Sequence, residues 1–256
     1  MREAGIFYTQ HYINQTVTQF LAKSQKINFD RIENYKNHKI NFFISYGILR
    51  GTGELFKKSK NFIYIDHGYF NSSSREFKKN NITIINSIDG YFRLIKNDFY
   101  FVKDPINLKP ERFKSLKIDL KDLKKNGEFI ILSEPSKNTL EFLNIPNWTE
   151  NTIEEIKLHT DRKIIVHNKF SKTPLSELFK NAHAFVSCQS TAGFTSICNG
   201  IPAFFTHNSF ERFTNLKDIE KKELNHDILY VAANLQWKLS EFFSDEFQEY
   251  FSSMLK

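Results

Sequence analysis

The stretch that decides the fold runs from Asn181 to Phe205 and reads NAHAFVSCQSTAGFTSICNGIPAFF. His183 to Cys188 is an apolar run of strand length. Ser187-Cys188-Gln189-Ser190-Thr191-Ala192-Gly193 then gathers small and hydroxyl-bearing residues, a helical segment closes at Gly200, and Ile201-Pro202 leads into a second apolar run. Strand, polar turn, helix, glycine stop and strand make a βαβ unit with parallel strands. Hydroxyl residues at a helix start either cap its unpaired N–H groups or stand beside them where a phosphate binds. Spacing leaves both uses open for Ser187, Gln189, Ser190 and Thr191. Gly193 is either room for a ligand or a packing site.

Working outward, the same rhythm recurs. GEFIILSEPS (127–136) is a buried strand ending in a polar turn, TENTIEEIKLHT (149–160) a helix with Thr149 as its expected cap, RKIIVHNK (162–169) a strand, and PLSELFKNA (174–182) a short helix. Upstream, INFFISYGILR (40–50) and NFIYIDHGYF (61–70) are strands ending in glycine-containing turns, with GTGELFKKS (51–59) a short helix between them. Residues 1–25 read as a strand and a helix. NNITIINS (80–87) and DFYFVK (98–103) read as later strands joined by IDGYFRLIKN (88–97). The expected fold class is α/β, with two Rossmann-like lobes whose parallel sheets face a cleft, and C-terminal helices. The Lys- and Pro-bearing connector from Asp104 to Asn126 sets the expected hinge, dividing a first lobe (1–105) from a second lobe with a helical tail (106–256).

Composition bounds the rest. With 256 residues, 40% of them hydrophobic, the chain can build real cores, and the 27 Phe are scattered as core filler. No apolar run approaches the roughly 18 residues of a membrane span, so a transmembrane segment is not expected. Two cysteines ten positions apart across a helix, Cys188 and Cys198, read as reduced thiols in a cytoplasmic protein. A formal charge of +7 suits anionic partners, among them nucleotides and nucleic acid, although most of the lysines belong to solvated faces.

AHAFVSCQSTAGFTSICNGIPAFF, with RKIIVHNKFSKTPLSELFKNA before it, resembles the nucleotide-sugar lobe of GT-B-type glycosyltransferases, above all those of capsule and lipopolysaccharide biosynthesis. The resemblance implies a nucleotide-sugar donor, a glycan or other acceptor, no cofactor and no essential metal, with residues 1–105 as the acceptor lobe and 106–256 as the nucleotide-sugar lobe. Ligands of parallel sheets bind at the carboxyl ends of strands. Donor-binding candidates are therefore Ser133 and Ser136 after one strand, His167 and Lys169 with Lys172 after another, and Ser187 to Gly193 after a third.

In the first lobe Tyr46, Gly47, Arg50, Gly51, Thr52 and Gly53 follow one strand, and Asp66, His67, Gly68 and Tyr69 follow the next; glycines there permit close backbone approach. An inverting transfer needs a proton acceptor, and Asp66 and His67 are the candidates; each is otherwise a structural residue of a turn. No G-x-x-x-x-G-K-[ST] or G-x-G-x-x-G is present, no His or Cys group has zinc spacing, and no D-x-D occurs, which removes the support for kinase, dinucleotide and metal readings. Two alternatives remain: a DNA-base glycosyltransferase, and a non-catalytic nucleotide-sugar-binding module of the same fold.

Overall fold

The computed structural model describes residues 3–72, 75–78, 81–86, 88–102 and 109–256. The chain divides into two compact units, residues 1–101 with 234–256, and residues 102–233. The expected hinge opens on positions outside the described residues, and the tail expected with the second lobe belongs to the first unit.

The first unit contains β1 (Ala4–Tyr8), α1 (Tyr12–Gln25), β2 (Asn28–Arg31), β3 (Phe42–Tyr46), α2 (Thr52–Lys58), β4 (Phe62–His67), a β5 (Arg75–Lys78) and β6 (Asn81–Asn86) pair, and β7 (Tyr91–Lys96). The second unit follows, with α3 (Pro110–Ser115), β8 (Phe129–Ser133), α4 (Lys137–Leu143), α5 (Trp148–Lys157), β9 (Lys163–His167), α6 (Leu175–Leu178), β10 (Ala182–Ser187), α7 (Ala192–Cys198) and β11 (Ala203–Phe205). The helix α8 (Asp227–Asn234) leads back to the first unit, which β12 (Gln236–Lys238) and α9 (Asp245–Met254) complete.

The first sheet has the order β12-β7-β4-β3-β1-β2. Its strands β2, β1, β3 and β4 are parallel, whereas β7 and β12 are antiparallel additions, so the sheet is mixed where an all-parallel one was expected. Both faces are covered, which explains the near-continuous apolar strands. Ile6, Ile44, Ile65 and Phe92 pack with Val17 of α1 and Phe247 of α9 on one face. Phe7, Phe43, Phe62 and Tyr64 pack with Phe56 of α2 on the other. Phenylalanine is core material there: the Phe56 ring lies 4.8 Å from Phe43 and 5.2 Å from Phe62.

Two further expectations fail in this unit. The strand is Tyr91–Lys96, inside the segment read as a joiner, while Asp98 turns the chain by accepting the Phe99 and Tyr100 amides at 2.6 and 3.2 Å. The tail is not helical throughout, because Gln236–Lys238 pairs with β7 as an edge strand.

The second sheet has the order β11-β10-β8-β9, and all its pairs are parallel. Numbered by appearance within each unit, the parallel strands of both sheets follow the order 2-1-3-4. That order reverses beside the first strand of each unit, between β1 and β3 and between β8 and β10. Such a switch point is where ligands bind in open α/β sheets.

Candidate functional site

At the carboxyl edge of the second sheet the pairing puts His167, Ser133, Ser187 and Phe205 in one row across four strands. Three of the four are donor-site candidates. Ser187 is fully buried, and its Oγ accepts the Ser190 amide at 3.2 Å. Ser190 Oγ in turn accepts the Ala192 amide at 3.3 Å, so this hydroxyl starts α7 in the way a cap does. Gln189, Ser190 and Thr191 are half-buried in the turn. Gly193 faces the core: a Cβ there would lie 2.5 Å from the Phe205 ring, so packing accounts for this glycine. Ser136 caps α4, accepting the Thr139 amide at 3.3 Å.

Beyond β9, His167 Nε2 donates to the Thr173 carbonyl at 3.1 Å. The Lys169 amine rests 4.9 Å from the centroid of the exposed Phe170 ring, and Lys172 is exposed. Cys188 is buried beside Ser187, and burial pushes its thiol up to about 12; Cys198 is likewise pushed up to about 11. Neither is a nucleophile at neutral pH.

Sequence reasoning missed several groups at this edge. Glu134 accepts the Thr149 hydroxyl at 3.0 Å and the Asn168 amide at 3.0 Å, tying the turns after β8 and β9 together. Thr149 is thus not the cap of α5; Asn147 precedes that helix. The Thr206 and His207 amides donate to the carbonyls of Ser187 and Cys188 at 3.0 and 3.1 Å, and the Trp148 indole donates to Thr206 at 2.8 Å. A cavity of about 390 Å³ is lined by Asn147, Trp148, Asn151, Thr152, Glu155 and Thr206. For Glu134, Asn168, Thr206 and His207 the signal was their place one or two residues past an apolar run; the α5 groups carried none.

At the carboxyl edge of the first sheet, Gly47 (φ 71°), Arg50 (φ 60°) and Gly51 (φ 88°) all adopt left-handed backbone in the turn after β3. Arg50 is exposed, whereas Thr52 and Gly53 are buried. Thr52 holds the turn by donating to the Gly47 and Leu49 carbonyls, each at 2.7 Å. The turn after β1, which sequence reasoning passed over, is joined to it by Asn14: its Oδ1 accepts the Thr9 amide at 2.9 Å and its Nδ2 donates to the Tyr46 carbonyl at 2.7 Å.

Successive strand residues face opposite ways, and this separates Asp66 from His67. Asp66 Oδ2 accepts the Tyr64 hydroxyl at 2.6 Å and pairs with Arg93 at 3.0 Å, and Oδ1 accepts the His67 amide at 2.8 Å. Arg93 is buried, and its guanidinium lies 5.2 Å from the Tyr69 ring. Desolvation works against its charge, but the Asp66 carboxylate and the tyrosines around it hold the proton more firmly than usual. Burial raises the Tyr64 and Tyr69 phenols, so both are neutral donors. Tyr69 belongs to this buried network. His67 is half-buried, its ring 5.8 Å from Tyr46 and 6.1 Å from Phe92.

No family model and no curated protein matches this chain. Among solved structures, the chain is similar to the beta Kdo 2,7 transferase of Thermosulfurimonas dismutans KpsC, at 10% identity and a TM-score of 0.48, covering 97% of this chain and 99% of that one. A similarity to the beta Kdo 2,4 transferase of the same KpsC has 10% identity, a TM-score of 0.47 and coverage of 91% and 90%. For the wall teichoic acid polymerase TagF the values are 9% identity, a TM-score of 0.27 and coverage of 99% and 87%.

Among the described residues no helix is long and apolar enough to cross a membrane, and no group of three or more His, Cys, Asp or Glu is placed to hold a metal ion.

Proposed function

We propose that this protein is a GT-B-like glycosyltransferase that binds a nucleotide-sugar donor at the carboxyl edge of the second sheet and transfers the sugar to a glycan or other acceptor. The observation that carries the proposal is the row His167, Ser133 and Ser187 at the β8–β10 switch point, continued by the Gln189–Thr191 turn. The hydroxyls of Ser133, Ser190 and Thr191 and the Lys169 amine are the donors suited to the charge that develops on a departing nucleotide diphosphate. Glu134 suits the other half of such a ligand, since a carboxylate that already accepts two hydrogen bonds has lone pairs left for sugar hydroxyls.

For the proton acceptor of an inverting transfer the geometry favours His67 over Asp66, whose two oxygens already serve Arg93, Tyr64 and the His67 amide. His67→Ala is expected to lower turnover by about 10² to 10⁴ while donor affinity holds. The direct test is a thermal-shift screen against UDP-, GDP-, CMP- and dTDP-sugars. A bound donor at 100 times its Kd stabilises by about 2.7 kcal/mol. Absence of any shift across the panel contradicts the proposal, as does a bound donor whose affinity is unchanged in Lys169→Ala with Ser190→Ala.

A further inference from the structure

The loop leaving β4 has acceptors for four consecutive amides. His67 donates to Asp66 Oδ1 at 2.8 Å, Gly68 to the Tyr91 carbonyl at 2.8 Å, and Tyr69 and Phe70 to a single atom, Gln236 Oε1, at 2.8 and 2.9 Å. Gln236 is fully buried and lies more than 160 positions further along the chain, on β12. It occupies one row with Asp66 and Arg93 across β4, β7 and β12. Burying an amide side chain is costly unless it is hydrogen-bonded, and an edge strand of this kind needs only an apolar residue at that position. A glutamine therefore points to the loop as its purpose. Gly68 fits the same account, because a Cβ there would stand 2.8 Å from Gln236 Oε1 and 2.8 Å from Tyr91.

We infer that Gln236 is a positioning residue for His67: by holding the Tyr69 and Phe70 amides, the β12 segment fixes the loop that directly follows the imidazole. The inference rests on the reading of His67 as proton acceptor and adds to it the group that sets its geometry. Preorganisation of this kind matters because a misplacement of about 1 Å can cost about 10²-fold in rate.

The test compares Gln236→Met, which keeps the length and loses the acceptor, with Gln236→Glu, which keeps an oxygen for both amides. Amide hydrogen exchange, the NMR titration of the His67 imidazole and transfer kinetics are measured on the whole chain. Gln236→Met is expected to speed exchange at Tyr69 and Phe70 by about tenfold or more while β1 and β8 stay protected. It should also displace the His67 titration midpoint, and lower kcat by about 10- to 100-fold with little change in donor KM. Gln236→Glu should restore most of each. Faster exchange at the two amides with an unmoved His67 titration and unchanged kcat would overturn the inference, leaving Gln236 as a loop anchor only. If Gln236→Met loosens β1 as well, Gly68→Ala displaces the loop from Gln236 while Gln236 itself is unchanged. The same His67 displacement supports the inference and an unmoved titration defeats it. Should the chain transfer no sugar from any donor, the proposed function fails, while the His67 titration still decides the positioning role.

Discussion

The two sheets share one strand order and spend their carboxyl edges differently. In the second unit that edge is a row of polar side chains, His167, Ser133 and Ser187, followed by a turn of small polar residues. In the first unit the end of β4 holds a charge pair, half-buried Asp66 with buried Arg93, surrounded by Tyr64 and Tyr69 and closed by Gln236. The extra antiparallel strands β7 and β12 supply Arg93 and Gln236, so the added strands and the internal network are one device. Like topology thus does not imply like chemistry. One edge is the proposed donor site, and the other invests Asp66, Arg93 and Gln236 in holding a loop.

The comparison breaks most visibly at Asp66. If its carboxylate anchors Arg93, Asp66→Asn leaves a charge buried without its partner, and the expected loss is about 3 kcal/mol, at the low end for such pairs because Asp66 is partly exposed. Denaturant unfolding of the whole chain measures it. A variant of native stability with only reduced turnover would return Asp66 to the role of base.

The backbone of the second unit offers a test of similar size. Gly200 ends the α7 segment at φ 77°, and a Cβ there would stand 2.1 Å from the Asp122 carbonyl. Gly200→Ala is expected to cost about 2 to 4 kcal/mol from strain and overlap together, seen as a lowered unfolding midpoint.

A pH test sharpens the contrast further. His183 is buried at the amino end of the second sheet, its Nε2 3.1 Å from the Ile219 carbonyl, with Glu220, Arg162 and Lys222 nearby. Burial, aided by Arg162, holds its pKa below the ordinary 6.5. A depressed folded-state value means that the unfolded chain takes the proton first. The stability from neutral His183 is therefore full above about pH 6.5 and is lost as the pH falls from there through the folded value. The melting temperature should fall more steeply between pH 7 and 5 in the native protein than in His183→Asn. Parallel curves would contradict this.

The smallest effect is expected at Ser190. Ser190→Ala removes a cap-like bond and should cost about 1 kcal/mol, with a modest loss of donor affinity.

Much of this was legible in the sequence. Short apolar runs closed by polar or glycine-containing turns mark β3, β4, β8, β9, β10 and β11, and the residues after them fall at the carboxyl edges as the parallel arrangement requires. What escaped was set by pairing distant in sequence. Arg93 interrupts YFRLIK with a charge, so β7 reads as a joiner until Asp66 is placed beside it. Three residues of β12 inside an apolar, helix-like tail carry no periodicity of their own, and only the pairing with β7 makes them a strand. Gly193 shows the limit at the site itself, since a glycine beside a hydroxyl turn reads equally as ligand room or packing until Phe205 is seen against it.

The central claim, that the β8–β10 switch point is the donor site, is tested most directly by titrating isotope-labelled protein with the nucleotide sugar that the thermal screen selects and following the backbone amides by NMR. The account predicts that the largest shifts fall on Ser133–Ser136, His167–Lys169 and Gln189–Gly193, with saturation at one ligand per chain. Shifts confined to the first unit, or to the amino end of the second sheet around Gly127 and Arg162, would contradict it.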